Sequence, residues 1–180
     1  MMVSNTFCIL LLLVFLVSSH ATTSHNIIKS TCKICAKKDP NFSYNFCVTS
    51  LQAAPGSRCA DLRELGIISM KLINHNLTDT RLYMKELLKD KKIDPFTRAR
   101  LDDCLELYSD AIPHLKQAMA DYKSNRYDDA NIQLSGVMEA PTTCEDGFQE
   151  QGGAVSPLTK MNNDTYRLSA LALVITNMLH

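Results

Sequence analysis

The sequence predicts an all-α protein: an up-and-down four-helix bundle with an N-terminal helical hairpin stapled by a disulfide. Three observations predict it. Composition is helical, because Gly and Pro are sparse at six each in 180 residues, Trp is absent, and valine-rich alternating stretches are missing. Apolar residues recur at alternating steps of four and three over long segments, the spacing of a helix with one buried face. The polar connections between these segments are short, which makes consecutive helices antiparallel neighbours.

The chain opens "MMVSNTFCILLLLVFLVSSHATTSHN", and residues 1–21 read as a secretory signal peptide. The apolar run from Phe7 to Val17 is about half of the roughly 20 residues a membrane span needs, and Ser19-His20-Ala21 fits the small-x-small cleavage rule. The leader departs from the usual pattern in having no Lys or Arg before the apolar run. The C-terminus, "VITNMLH", carries no retention signal, so the expected destination is outside the cell, with no membrane association after cleavage. The mature chain, residues 22–180, is expected to be one domain: a helical hairpin over 22–58 and the bundle over 59–180. Asn41, Asn76 and Asn163 each open an Asn-x-Ser/Thr sequon and are glycosylation candidates.

Loss of Cys8 with the leader leaves Cys32, Cys35, Cys47, Cys59, Cys104 and Cys144, an even set in an oxidising compartment, which implies disulfides. Cys32-Lys33-Ile34-Cys35 is half of a zinc motif, but zinc is the weaker reading because there is no second paired motif and His25, His75, His114 and His180 are scattered. A thioredoxin-like site needs a βαβ context that the helical periodicity does not provide. Six cysteines allow about 15 pairings. Cys32 and Cys47 flank the turn Asp39-Pro40-Asn41, so a helical hairpin could bring them together, and Cys104 to Cys144 would tie two long helices. Cys35 and Cys59 are then a possible third bridge or two free thiols.

The first bundle segment, Asp61 to Lys89, has the seam Leu62, Gly66, Ser69, Ile73, Leu77, Thr80, Met84, Leu87, whose small residues permit close helix approach. The second is the strongest, with Leu101, Leu105, Tyr108, Ile112, Leu115, Met119 and Tyr122 in register. Asp94-Pro95 supplies its N-cap and first-turn proline, and Pro113 is expected to kink it. A third seam runs Tyr127, Ala130, Leu134, Val137. The fourth runs Leu158, Met161, Thr165, Leu168, Ala172, Ile175, Leu179. The connections are "KDKKIDP", "KSNR" and "CEDGFQEQGGAVSP".

Nothing in this pattern is catalytic. Nucleophile-elbow, metalloprotease, dinucleotide and phosphate-loop motifs are absent. The pairs Asp102-Asp103, Asp128-Asp129 and Glu145-Asp146 diverge by about 100° on a helix and do not share a site. The 19 basic and 19 acidic residues cancel, which leaves no field to hold nucleic acid. The residues therefore describe a secreted, disulfide-bonded helical binding protein, expected to be a monomer, with no enzymatic activity and no cofactor.

The stretches "STCKICAKKDPNFSYNFCVTSL", "LDDCLELYSDAIPHLKQAM" and "NRYDDANIQLSGVMEAPTTCEDGF" resemble the plant invertase and pectin methylesterase inhibitors across nearly the whole mature chain. That resemblance implies a four-helix up-and-down bundle with an N-terminal helical hairpin. It implies the pairs Cys32–Cys47 and Cys104–Cys144, while Cys35 and Cys59 depart from the family's four-cysteine pattern. It also implies a partner: secreted acid invertase or pectin methylesterase, in the apoplast or cell wall, with the vacuole as another address. In the invertase inhibitors a Pro-Lys-Phe motif between two bundle helices enters the sucrose site, and the aligned residues here are Asn125-Arg126-Tyr127. These three are the expected contacts with a target enzyme, invertase being preferred. Pectin methylesterase is the alternative, since "YDDAN" is similar to that branch, and a helical, allergen-like protein with no enzyme target is the remaining one.

Overall fold

Helix α1 covers 27–38 in a computed structural model that describes residues 27–38, 42–150 and 155–180. The leader expected over 1–21 and the sequon residue Asn41 lie outside the described residues. Helix α2, Tyr44–Ala53, is opened by Ser43, whose hydroxyl accepts from the Phe46 amide at 3.2 Å. Cys32 in α1 and Cys47 in α2 form a disulfide with their Cα atoms 5.7 Å apart, and Ile28, Cys32, Cys35, Cys47 and Leu51 are all buried. The possible third bridge is not formed. Cys35 sits one turn beyond Cys32 with its thiol buried, whereas Cys59 is exposed in a short 3-10 turn, Ser57–Cys59, and both are free. Burial pushes the Cys35 thiol up to about 11, so it remains protonated.

Helix α3, Leu62–Leu87, begins at a reciprocal cap: the Asp61 carboxylate accepts from the Glu64 amide at 2.7 Å, and the Glu64 carboxylate accepts from the Asp61 amide at 2.9 Å. The chain divides inside α3 into two compact units, Met1–Ile68 and Ser69–His180.

The second unit contains the rest of α3 with α4 (Pro95–Lys123), α5 (Tyr127–Gln149) and α6 (Thr159–Leu179). As the sequence predicts, Asp94 caps α4, its carboxylate accepting from the Thr97 amide at 2.9 Å, and Pro95 occupies the first turn. Arg98 closes the preceding connection by donating to the carbonyls of Leu88 at 2.9 Å and Asp90 at 2.7 Å. Helix α4 runs on through Pro113. Its antiparallel neighbours follow from who meets whom. Arg81 of α3 donates to Ser109 of α4 at 3.1 Å, Cys104 early in α4 bridges Cys144 late in α5, and Asn131 early in α5 donates to Asn177 late in α6 at 2.6 Å.

The buried stripe of α4 is Leu101, Cys104, Tyr108, Ala111, Leu115, Ala118, Tyr122, joined by Asp121. Four of the predicted seam residues stand in it, but Leu105, Ile112 and Met119 are only half-buried along its edge, displaced by Cys104, Ala111 and Ala118. In α5 the stripe continues past the expected end through Ala140, Pro141, Cys144 and Phe148. The helix therefore takes in the first half of the stretch read as the third connection. Phe148 is fully buried and meets the Phe96 ring edge-on at 6.4 Å, which gives that extra turn its packing.

A polar network crosses this core. The Tyr108 hydroxyl donates to Asn162 Oδ1 at 2.7 Å; Asn162 Nδ2 donates to Glu145 Oε2 at 2.6 Å; the Thr165 hydroxyl donates to Asn76 Oδ1 at 2.9 Å. All four helices contribute. Asn162 was outside the predicted seam of α6, where Met161 stood in its place; Met161 is half-buried and Asn162 is 3% exposed.

Candidate functional site

Asn125, Arg126 and Tyr127 form the reversal between α4 and α5. Helix α4 is stopped at Ser124, whose amide bonds the Ala120 and Asp121 carbonyls at 3.2 and 3.0 Å. Asn125 follows with φ 60°, the left-handed conformation that Asn tolerates better than most side chains, and this one residue redirects the chain. The Arg126 amide then donates to the Asp121 carbonyl at 2.9 Å, closing the turn, and Tyr127 begins α5. No side chain caps α5; Arg126 occupies the capping position. Asp128 and Asp129 in the first turn compensate for this by facing the positive end of the helix dipole.

The side chains of the turn are held as well. Arg126 Nη2 donates to Asp121 Oδ1, and Arg126 Nε lies 3.3 Å from Asp129 Oδ2, so one guanidinium reaches a carboxylate on each of the two helices. Asp121 is 3% exposed and receives a second donor, Gln117 Nε2, at 3.0 and 3.1 Å. The Arg126 hydrogen bond holds the Asp121 carboxyl below the usual carboxylate range; burial opposes this and the Gln117 amide adds to it. Tyr127 packs edge-on against the buried Tyr122 ring at 5.3 Å, and its hydroxyl donates to Asn125 Oδ1 at 3.1 Å. At the same end of the unit, His180 Nε2 lies 3.0 Å from Asp128 Oδ1.

The three expected contact residues are thus contiguous at one tip, with Asn125 and Arg126 exposed and Tyr127 half-buried. Sequence reading missed Asp121, which fixes Arg126. The signal was there: an ionisable residue stands on the apolar stripe of α4, between Ala118 and Tyr122, five residues before an arginine.

The other predicted positions are dispersed. Asn163 is exposed on α6, whereas Asn76 is half-buried with its carboxamide oxygen engaged by Thr165 and by Thr80 at 3.1 Å. The Cys104–Cys144 bridge, with a Cα separation of 5.0 Å, lies farther along α4 and α5. Among the described residues no cluster of three or more His, Cys, Asp or Glu is placed to hold a metal, and no helix is long and apolar enough to cross a membrane.

Comparison with known proteins gives the family of this helical chain. The family described as "Plant invertase/pectin methylesterase inhibitor" matches residues 26–175, and the chain belongs to it. It is 43% identical over 159 residues to a Platanus acerifolia protein named "Putative invertase inhibitor", an alignment covering 88% of each chain. It is 34% identical over 158 residues to Pectinesterase inhibitor 12 of Arabidopsis thaliana, covering 87% of this chain and 90% of that one. Among solved structures, a mutant form of an Arabidopsis pectin methylesterase inhibitor superposes with a TM-score of 0.69 over 83% of this chain and 97% of that chain, at 22% identity, a likeness of fold.

Proposed function

We infer that the protein is a secreted, stoichiometric inhibitor of acid invertase that blocks the enzyme's active site with the tip formed by Asn125, Arg126 and Tyr127. The observation that carries this reading is the 43% identity, over most of both chains, to the Platanus relative whose name is that of an invertase inhibitor. The geometry supports it. The tip offers a guanidinium, whose planar donors suit a carboxylate, beside an aromatic ring that suits a sugar face. Acid invertase, a glycoside hydrolase, presents both chemistries, since such enzymes work with a pair of carboxylates around a sugar. The protein works by occupation alone, as a monomer, without a cofactor. Secretion to the apoplast or cell wall, or delivery to the vacuole, follows from the leader read in residues 1–21. Of the two sequons whose asparagines are described, Asn163 is the better glycan acceptor because its side chain is exposed.

Pectin methylesterase is the second target, favoured by the 34% identity to a pectinesterase inhibitor of nearly the same length. Replacing Tyr127 by Ala tests the first reading. The variant should lose at least tenfold in inhibition of acid invertase while keeping its helical content, since a buried interface aromatic is a typical binding hot spot. Full-strength inhibition by the folded variant would remove Tyr127 from the contact.

A further inference from the structure

We propose that Asp121 is a positioning residue for inhibition: it holds the Arg126 guanidinium in the orientation in which the tip meets its target. The proposal rests on the reading of the tip as the inhibitory contact. Asp121 stands on the buried stripe of α4, where an apolar residue would pack without cost, and it is 3% exposed. A buried carboxylate is costly unless it is paired, so its presence there calls for a role beyond filling space. Among the described residues its side-chain hydrogen bonds come from Gln117 and Arg126.

The attachment to Arg126 is double. The Arg126 main-chain amide donates to the Asp121 carbonyl at 2.9 Å while its Nη2 donates to the Asp121 carboxylate, so backbone and side chain of one residue are tied to one anchor. Asp129, on the other helix, forms an ion pair with Arg126, its Oδ2 lying 3.3 Å from Nε. A free arginine has large rotamer freedom that must be given up on binding, and a guanidinium already clasped between two helices has given it up before the partner arrives. The clasp leaves the outer edge available, since the Arg126 side chain is 51% exposed and a guanidinium has five N–H donors, of which the hydrogen bond to Asp121 uses one on Nη2.

The test uses the full mature chain as wild type, Asp121→Asn, Arg126→Ala, and the two combined, each checked for helical content and thermal midpoint before titration against acid invertase. Asp121→Asn is expected to weaken inhibition roughly tenfold, and to add nothing in the Arg126→Ala background, the non-additivity expected when one residue acts through the other. A merely structural role would lower the thermal midpoint in both backgrounds and leave the wild-type and Asp121→Asn inhibition curves superimposed. A second readout needs no variant to fold: in the wild-type protein the Arg126 Nη2 group, donating to Asp121 Oδ1, should rotate and exchange slowly enough to give its own NMR signal. If that signal exchanges like a solvent-free-to-rotate arginine, the positioning claim is overturned. If Asp121→Asn inhibits at full strength while Arg126→Ala is weakened, the positioning claim falls and the tip remains the contact. If Arg126→Ala and Tyr127→Ala both inhibit at full strength, the tip reading and this inference fall together.

Discussion

The Tyr108 hydroxyl, on α4, donates to Asn162 Oδ1, on α6, at 2.7 Å, in the interior of the bundle, where both residues are almost wholly buried. The second amide atom of Asn162 continues to Glu145 of α5 at 2.6 Å, so one side chain joins three helices. Replacing Tyr108 by Phe keeps the ring volume and strands the Asn162 oxygen. The expected loss is about 1 to 3 kcal/mol, the range for a buried acceptor left unpaired. Urea unfolding of the two proteins measures it, and equal midpoints would show that the network contributes packing only.

Both disulfides close loops, and the loops differ in length. Cys104 and Cys144 are 40 residues apart, Cys32 and Cys47 are 15 apart. On the chain-entropy account the first contributes about 4 kcal/mol and the second about 3 kcal/mol. Replacing each pair by Ala in turn should lower stability in that order, read by denaturant unfolding in the oxidised state. A larger loss from the shorter loop would show that strain or residual unfolded structure outweighs loop entropy.

At the tip, the left-handed Asn125 sets which residues the turn accepts. Gly has no Cβ penalty at φ 60°. Asn125→Gly is therefore expected to leave the thermal midpoint within a few degrees of wild type. Asn125→Val should cost about 1 to 2 kcal/mol, because a β-branched side chain tolerates left-handed backbone far less well than Asn does. Differential scanning calorimetry compares the three. A Val variant as stable as wild type would mean that the turn rebuilds.

Acid should weaken the second unit in a definite direction. Asp94 is held below the usual carboxylate range by the Thr97 amide, and Asp121 by Arg126. A carboxyl with a depressed folded pKa stabilises the fold above its unfolded value, near pH 4, and loses that contribution as pH falls through the folded value. Denaturation midpoints should accordingly drop between about pH 6 and about pH 3, and the drop should shrink in Asp94→Asn, which keeps a cap but cannot titrate. An equal drop in that variant would assign the acid sensitivity elsewhere.

The helices were legible because burial follows period: Tyr108, Leu115 and Tyr122 repeat at seven and lie on the buried face of α4. What misled was size. Ala111 and Ala118 carry little apolar signal, yet they occupy the centre of the stripe, and Leu105, Ile112 and Met119 were read in their place. Cys144 to Phe148 read as the start of a connection because the stretch that follows is polar; the structure keeps the helix, and a Cβ at Gly147 would lie 3.6 Å from the Arg100 side chain, in ordinary contact. At the tip, resemblance to the family marks Asn125 to Tyr127. It does not show that Arg126 is clasped, since the pairing with Asp121 spans a turn whose geometry depends on one positive φ.

Arg126→Ala alone is a compound change for the same reason: it removes a proposed contact and also strips a buried carboxylate of its cation. The direct measurement is therefore made on the unmodified protein. Purified mature chain is titrated at mildly acidic pH into a fixed amount of acid invertase and, in parallel, of pectin methylesterase, and residual activity is followed. Invertase activity should fall in proportion to added protein and end near one inhibitor per enzyme, with sucrose slowing the onset because both occupy the same site, while pectin methylesterase stays active. Invertase that keeps its full activity at a large excess of folded protein would contradict the account, and a simultaneous stoichiometric loss of pectin methylesterase activity would transfer the same tip, or another face of the bundle, to that target.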